Sequence, residues 1–499
     1  MKMNRTRILK YSILTLLILA GSLLSFLFYK IHRIEKDLEN LRISNFHIHA
    51  DNPKLSLIKG ELLSDKILIR GLLEKDSLYI STSSLIIEGL DILPFLVNKE
   101  ILVNKIKIDS PTITVQALNS NSTKKRFVKQ QKIKEVHIKH LELSQGKFFR
   151  TSLNKDTILT AKYQILLSNT SFNPSIQSFP IPKEYKIEME HIEFEPDPLN
   201  KIRIPSIQMD TLKWSLSAFH LIPKFNKTQY SRQLTNQKDR IELKTDTIVI
   251  HHPEFAKEPN SIWKSSFVEI NQLHTDIYRD KTLPPDLSYR PMISKMLRTL
   301  PITLDIDSLQ VKKGSITYGE LLKHKDKAGE IAITNLDLNI SRLNNTFKDT
   351  MNIEFTGSFM DQGQLYIHSK IPVWNTNDYF ITNIYLNDFD TKRLDAFTSK
   401  NLQVRNTGFL QHAVFQISGN ENNATGTVVM SYKDLQIRVM NKEGSKEKKL
   451  WSTIANTLIR KENKNLKQQA FEVTRNKTKS YFNYMWLCVQ KGLITSMIY

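Results

Sequence analysis

One short pattern of side chains recurs along most of this chain: apolar-x-apolar-x-x-apolar-x-apolar. Clear copies are VHIKHLEL, IEMEHIEF, IQMDTLKW, LDIDSLQV and IAITNLDL, which start at residues 136, 187, 207, 304 and 331. Alternation of apolar and polar residues is typical of a strand with one buried face. The spacing of the copies is irregular, which argues against a fixed-period solenoid. The sequence therefore predicts a mainly β protein with one strand type reused in a long antiparallel sheet.

Each copy contains a slip in its alternation. In LDIDSLQV the apolar residues stand at Leu304, Ile306, Leu309 and Val311, so strict pleating would turn the last two to the opposite face. A β-bulge near Asp307 would return them to the first face and bend the strand. Repeated bends would curve the sheet around an apolar groove. The side chains predicted to line it are Val136, Ile138, Leu141, Leu143, Ile187, Met189, Ile192, Phe194, Leu304, Ile306, Leu309, Val311, Ile331, Ile333, Leu336 and Leu338.

Two glycines follow copies of the pattern at the same offset. Gly146 comes after VHIKHLEL and Gly314 after LDIDSLQV, and both suit a short hairpin loop with a positive φ. Between the strands only short helices are predicted, at Asp91 to Asn98 and at Pro291 to Leu300. The sheet domain is predicted to span residues 30–440.

A charged linker, NKEGSKEKK, opens the C-terminal region at residues 441–499. Leu450, Trp451, Ile454 and Leu458 after it share one helical face. The last segment, Ser480 to Met497, is rich in aromatic residues and is also predicted to be helical. It either packs against the last strands, plugs the groove or touches a bilayer.

Residues 11–29 form a run without a charged side chain, YSILTLLILAGSLLSFLFY, which is long enough for one transmembrane helix. The apolar side chains expected to face lipid are Ile13, Leu14, Leu16, Leu17, Ile18, Leu19, Leu23, Leu24, Phe26, Leu27 and Phe28. A cleaved signal peptide is the alternative, but no clear A-x-A site follows. We expect an uncleaved anchor, with residues 1–10 as a cytoplasmic tail and the body outside the cytoplasm.

The formal charge of +21 favours anionic partners. The basic residues are dispersed and do not alternate with aromatic residues, so we expect a membrane surface and no nucleic acid. The single cysteine, Cys488, excludes an intramolecular disulfide, and its apolar neighbours predict a buried thiol.

The strongest candidate for chemistry is FHIHAD, in which His47 and His49 point to one side of a strand with Asp51 nearby. The match is too short for a metal site, and the pairs His251 with His252 and His137 with His140 carry no more information. No phosphate-binding loop, nucleophile elbow or dinucleotide motif occurs. We predict no enzyme activity, no catalytic or metal-binding residue and no cofactor.

Three segments resemble the AsmA-like family of bacterial envelope proteins. They are LIIEGLDILPFLVNKEILVNKIKIDSPTITV at 85–115, PMISKMLRTLPITLDIDSLQVKKGSITYGE at 291–320, and RNKTKSYFNYMWLCVQKGL at 475–493. The resemblance implies a single-pass inner-membrane protein with its bulk in the periplasm. It also implies a curved β-groove that carries lipids between the inner and outer membranes and supports outer-membrane lipid homeostasis.

The predicted apolar face of the sheet also favours lipid as the partner, independently of the family resemblance. A sheet with one apolar face must cover it, and few amphipathic helices are available to do so. Either the sheet packs on another sheet, or phospholipid acyl chains fill the groove. Two other functions stay open: an assembly factor that binds outer-membrane or envelope proteins through the C-terminal segment, and a structural envelope tether.

Overall fold

A computed structural model describes most of the chain from residue 32 onward. The described residues are 32–33, 35–37, 39–43, 46–56, 59–73, 76–91, 94, 98–118, 134–154, 156–172, 181–256, 261–323, 325–346, 348–441, 447–449 and 467–497. The predicted anchor at 11–29, most of the predicted helix at 91–98 and the helical pattern at 450–458 lie outside them. Among the described residues, no helix is long and apolar enough to cross a membrane.

The chain divides into two compact units, and the prediction of a mainly β protein is confirmed. Unit 1 comprises Met1–Phe194 and Ser206–Thr211. Its strands are β1 (Asn40–Ile43), β2 (Phe46–Asp51), β3 (Lys54–Ser56), β4 (Glu61–Ser64), β5 (Lys66–Leu73), β6 (Asp76–Thr82), β7 (Ser84–Asp91), β8 (Glu100–Asp109), β9 (Thr112–Ala117), β10 (Glu135–Thr151) and β11 (Thr157–Phe172). Strands β12 (Ile181–Asp197) and β13 (Asn200–Asp210) contribute residues to both units.

Unit 2 comprises Glu195–Pro205 and Leu212–Tyr499. Its strands are β14 (Lys213–Ser217), β15 (His220–Pro223), β16 (Asp239–Lys244), β17 (Thr247–His251), β18 (Glu254–Ala256), β19 (Ile262–Asn271), β20 (His274–Asp280), β21 (Thr303–Leu321), β22 (Gly329–Asn344), β23 (Thr350–Phe359), β24 (Gly363–Pro372), β25 (Phe380–Asp390), β26 (Val404–Gly419), β27 (Asn423–Val439) and β28 (Gln469–Thr474). Its helices are α1 (Lys227–Arg232), α2 (Ile293–Arg298), α3 (Asp395–Asn401) and α4 (Tyr481–Met497), with a 3₁₀ turn at Thr391–Leu394.

The two units contain the same arrangement of eight strands. In unit 1, β4–β7–β8 and β5–β6–β9 form two ladders that both end on the long strand β10. In unit 2, β14–β17–β19 and β15–β16–β20 end in the same way on β21. The other edges of β10 and β21 pair with β11 and β22. The chain thus holds two topological repeats, residues 61–172 and 213–344.

The prediction of a purely antiparallel sheet is wrong. β10 runs parallel to β8 and β9, and β21 runs parallel to β19 and β20, whereas their other neighbours are antiparallel. Along one edge, each long strand is therefore paired first with one shorter strand and then with the next shorter strand in the chain. Parallel neighbours need long connections, and here the connections between β9 and β10 and between β20 and β21 supply them.

The predicted hairpins at Gly146 and Gly314 are also wrong, because both glycines lie within long strands. The register of β10 with β11 shifts between Leu143 and Gly146, and that of β21 with β22 shifts between Val311 and Gly314. The residue with positive φ is the one before each glycine, Gln145 or Lys313. A Cβ at position 146 would lie 2.3 Å from the ring of Tyr163. These glycines belong to β-bulges and are needed for close packing.

At Asp307 the predicted bulge is absent, but the phase of the side chains does change. The register of β21 with β22 is the same on both sides of Asp307, which stands opposite Arg342 without being paired to it. Arg342 has a positive φ of 58°. Ile340 and Leu343, on either side of it in β22, both pack against the core cluster of unit 2. In both strands the alternation of side chains therefore shifts by one residue at this point. Because the shift occurs in both, neither strand has an extra residue and the register is unchanged.

The main hydrophobic core of the described residues lies in unit 2, over strands β23–β28. It contains Phe389, Phe415 and Met430 from the strands and Tyr484 and Cys488 from α4. The helix predicted at Pro291 to Leu300 is confirmed as α2, and the tail helix predicted from Ser480 to Met497 is confirmed as α4. Of the alternatives for the tail, packing against the last strands is the one observed, because α4 contacts β26, β27 and β28.

Candidate functional site

Two rows of mostly apolar side chains cross six neighbouring strands of unit 1. Cross-strand partners share a face of a sheet, so the register places each row on one side. The first row is Leu62, Ile87, Ile106, Leu141, Leu167 and Tyr185, and the second is Ser64, Leu85, Ile108, Leu143, Ile165 and Ile187. We call these twelve residues the unit 1 apolar face.

Unit 2 carries the corresponding pair of rows on the corresponding strands. The first is Trp214, Ile250, Val268, Leu309, Ile340 and Ile353, and the second is Leu216, Ile248, Ile270, Val311, Leu338 and Phe355. We call them the unit 2 apolar face. The second row continues through Ile367 and Ile384 to Phe415 and Val428, which lie in the core.

The two ends of the continuous row in unit 2 differ in how they are covered. Phe415 and Val428 are almost completely buried, and a Cβ at Gly492 of α4 would lie 2.9 Å from the Phe415 ring. Helix α4 therefore closes the row over β26–β28. Leu216, Ile248 and Ile270, at the other end, are only partly buried. Except for the buried Ser64, the side chains of the unit 1 apolar face are also only partly buried.

Six of the sixteen side chains predicted to line a groove fall directly on these rows. They are Leu141, Leu143, Ile187, Leu309, Val311 and Leu338. Ile331, Ile333 and Leu336 pair with Tyr318, Ile316 and Gly314, beyond the bulge of β21. Leu304 and Ile306 precede the phase change at Asp307, and Val136 and Ile138 precede the corresponding unpaired residue of β10, Lys139. Met189 and Phe194 pair with Tyr163 and Leu159, and Ile192 is buried.

The predicted groove-lining side chains include only three of the twelve residues of the unit 1 apolar face. Ile106 and Ile108 of β8 stand in IKIDSPTI, which matches the recurring pattern only loosely, and Leu85 and Ile87 stand in LIIEGL, where apolar residues are consecutive. Consecutive apolar residues hide the alternation. The pairing of Ile87 with Ile106 is the signal that places them on this face.

The opposite side of the same strands is charged, and its charges are paired. Lys105 lies 3.5 Å from Glu142 in unit 1, and Lys312 lies 3.1 Å from Glu269 in unit 2. Hydrogen bonds from Asn271 and Lys312 lower the pKa of Glu269 below its usual range. In unit 1, the hydrogen bond to Glu188 raises the pKa of Lys186. The side opposite each apolar face thus carries ion pairs, although in unit 1 Leu63, Ile86 and Leu166 also lie on it.

The histidine motif forms a small surface contact. His49 lies 2.9 Å from Asp51 on β2, with His47 two residues before it on the same strand. In the part of the chain that the structure describes, no group of three or more His, Cys, Asp or Glu side chains is arranged to hold a metal ion. Cys488 is fully buried as predicted, and burial raises the pKa of its thiol to about 12.

No family model matches this sequence, and no characterised protein matches it.

Proposed function

We propose that the apolar faces of units 1 and 2 bind phospholipid acyl chains, and that the protein transfers lipid between the inner and outer membranes. The observation that carries this proposal is the pair of apolar rows across six strands whose side chains are mostly only partly buried. Partly buried rows leave apolar area that an acyl chain can cover.

The size of each face fits an acyl chain. Six strands are separated by five spacings of about 4.8 Å, which gives a width of roughly 24 Å. A single acyl chain spans half of the hydrocarbon core, about 15 Å. Each methylene group that leaves water contributes about 0.8 kcal/mol. One face can therefore hold a chain with several kcal/mol of favourable burial.

The proposed location is based on the uncharged run near the N-terminus and on the net charge of the protein. The uncharged run at 11–29 would anchor the protein in the inner membrane, with the two units in the periplasm. The net charge of +21 suits anionic phospholipid headgroups. The ion-paired side of the strands would face water while the apolar side faces lipid.

Adjacent residues of β10 provide the test. A photocrosslinking amino acid at Leu141 lies on the unit 1 apolar face, whereas the same amino acid at Glu142 lies on the charged side. In membranes that contain radiolabelled phospholipid, we expect a lipid adduct at position 141 and little at position 142. Equal labelling at the two positions, or no adduct at 141 in the folded protein, would contradict the proposal.

A further inference from the structure

Large apolar side chains are exposed both at the N-terminal end of α4 and in the loop before α2. Phe482 is 75% exposed and Trp486 is 41% exposed, one turn later on the same side of the helix. In the loop before α2, Leu287 is 71% exposed and Tyr289 is 44% exposed. Four large apolar side chains in these two segments are thus left wholly or partly uncovered by the other described residues.

Hydrogen bonds hold the loop and the helix start together. The Arg290 backbone N–H donates to the Lys477 carbonyl at 2.8 Å, and the buried Arg475 side chain donates to the Arg290 carbonyl. Arg475 also contacts the carbonyl of Glu421, whose carboxylate accepts a hydrogen bond from Tyr289. The buried Arg475 and the Arg290–Lys477 hydrogen bond therefore fix the loop before α2 beside the segment that leads into α4.

The rim of this surface is basic. Lys477 and Lys479 immediately precede α4, and Lys295 lies 4.8 Å from the ring of Tyr289. Two acids lie nearby: Asp286 pairs with Arg290, and Glu421 keeps its negative charge while it accepts a hydrogen bond from Tyr289. Between residues 467 and 497 there are five basic residues and one acidic residue. The lysines therefore give the surface a positive potential that the acids do not cancel.

We propose that this surface, formed by Leu287, Tyr289, Phe482 and Trp486 with the lysine rim, docks on an anionic lipid bilayer. Aromatic side chains settle at the level of the headgroups, and lysines beside them attract anionic lipid. The covered and exposed sides of α4 differ accordingly: Tyr484 and Cys488 face the core, while Phe482 and Trp486 face outward. This docking is independent of lipid binding by the apolar faces, because it uses different residues.

Cysteine labelling makes the docking measurable in the full-length protein. The only native thiol, Cys488, is fully buried, so a maleimide dye reacts at an introduced exposed cysteine. A Phe482→Cys protein is labelled with a polarity-sensitive dye and held in zwitterionic nanodiscs through its N-terminal segment. Vesicles of 30% phosphatidylglycerol in phosphatidylcholine are then added. We expect a severalfold rise in dye fluorescence that high salt reverses.

Two variants serve as controls. A dye placed by Leu212→Cys, at a leucine that is 64% exposed elsewhere in unit 2, should show little change. The double change Lys477→Gln and Lys479→Gln should weaken vesicle binding about 30-fold, since each lysine near the surface contributes about 1 kcal/mol. Neither lysine side chain is buried, so the fold should survive.

Three results would overturn the proposal. The first is no rise at position 482 with anionic vesicles, and the second is an equal rise with pure phosphatidylcholine vesicles. The third is a rise that depends on protein concentration without vesicles, which would assign the surface to a second copy of this chain. Loss of lipid crosslinking at Leu141 would leave this result unchanged, so the two proposals fail separately.

Discussion

A Phe415→Ala protein should lose about 3–5 kcal/mol of stability in the part of unit 2 that contains β26 and α4. The Phe415 ring is 2% exposed and packs beside Gly492 of α4. Truncation removes buried apolar surface and leaves a cavity that the neighbouring Phe471 cannot fill without moving. Hydrogen exchange of the α4 amides in urea, followed by mass spectrometry, measures the loss.

The matched control for this change is Phe482→Ala, which removes the same side chain from the exposed side of α4. Because Phe482 is 75% exposed, the loss should stay within about 0.5 kcal/mol. If the two variants destabilised α4 equally, the packing of this helix over the end of the apolar row would be wrong.

A Leu167→Asp protein should lose lipid transfer by more than about tenfold, because the acyl chain would have to desolvate a carboxylate in the middle of the unit 1 apolar face. Leu167 pairs with Leu141 on one side and Tyr185 on the other, so no opposite charge is directly beside it. Transfer of a fluorescent phospholipid from donor to acceptor vesicles measures the effect, with the full-length protein present.

The neighbouring residue offers a close control. Leu166 is 47% exposed and pairs with Glu142 and Lys186, on the charged side of β11. A Leu166→Asp protein carries the same added charge one residue away and should transfer lipid at nearly the normal rate. Circular dichroism checks that both variants fold. A similar loss in both, with the fold intact, would mean that the apolar side of β11 has no special part in transfer.

The strand type and its apolar side were predictable from the sequence, because the repeated pattern is local. Leu141 and Leu143, or Leu309 and Val311, alternate with polar residues, and period-2 alternation directly reports a half-buried strand. The helices that begin after Pro291 and Ser480 were predictable for the same reason, since their side-chain pattern is local.

Strand pairing was not predictable, because it joins residues that are distant in sequence. The glycines at 146 and 314 looked like turns, yet each strand continues through its glycine and pairs with two successive parallel strands. Gly146 is needed because a side chain there would collide with the ring of Tyr163. The sequence alone does not distinguish such a glycine from one that forms a turn. The match between the two repeats is visible only in the pairing, since most of the equivalent residues differ.

The phase change at Asp307 was also only partly predictable, because its cause involves a second strand that is distant in sequence. The prediction that the alternation changes phase between Ile306 and Leu309 agrees with the pairing, but the predicted cause, a bulge in one strand, is wrong. In the structure Asp307 and Arg342 are opposite each other, and both strands change phase together. The sequence of β21 alone cannot show that the alternation in β22 also shifts opposite Asp307.

The most direct test of lipid binding is an electron cryo-microscopy map of the full-length protein in phospholipid nanodiscs. We predict elongated density, not accounted for by the chain, along Leu141, Leu143 and Ile165 of the unit 1 apolar face, and none on the side of Lys105 and Glu142. A well-resolved map in which this face is covered by protein side chains, or carries no density at all, would contradict the account.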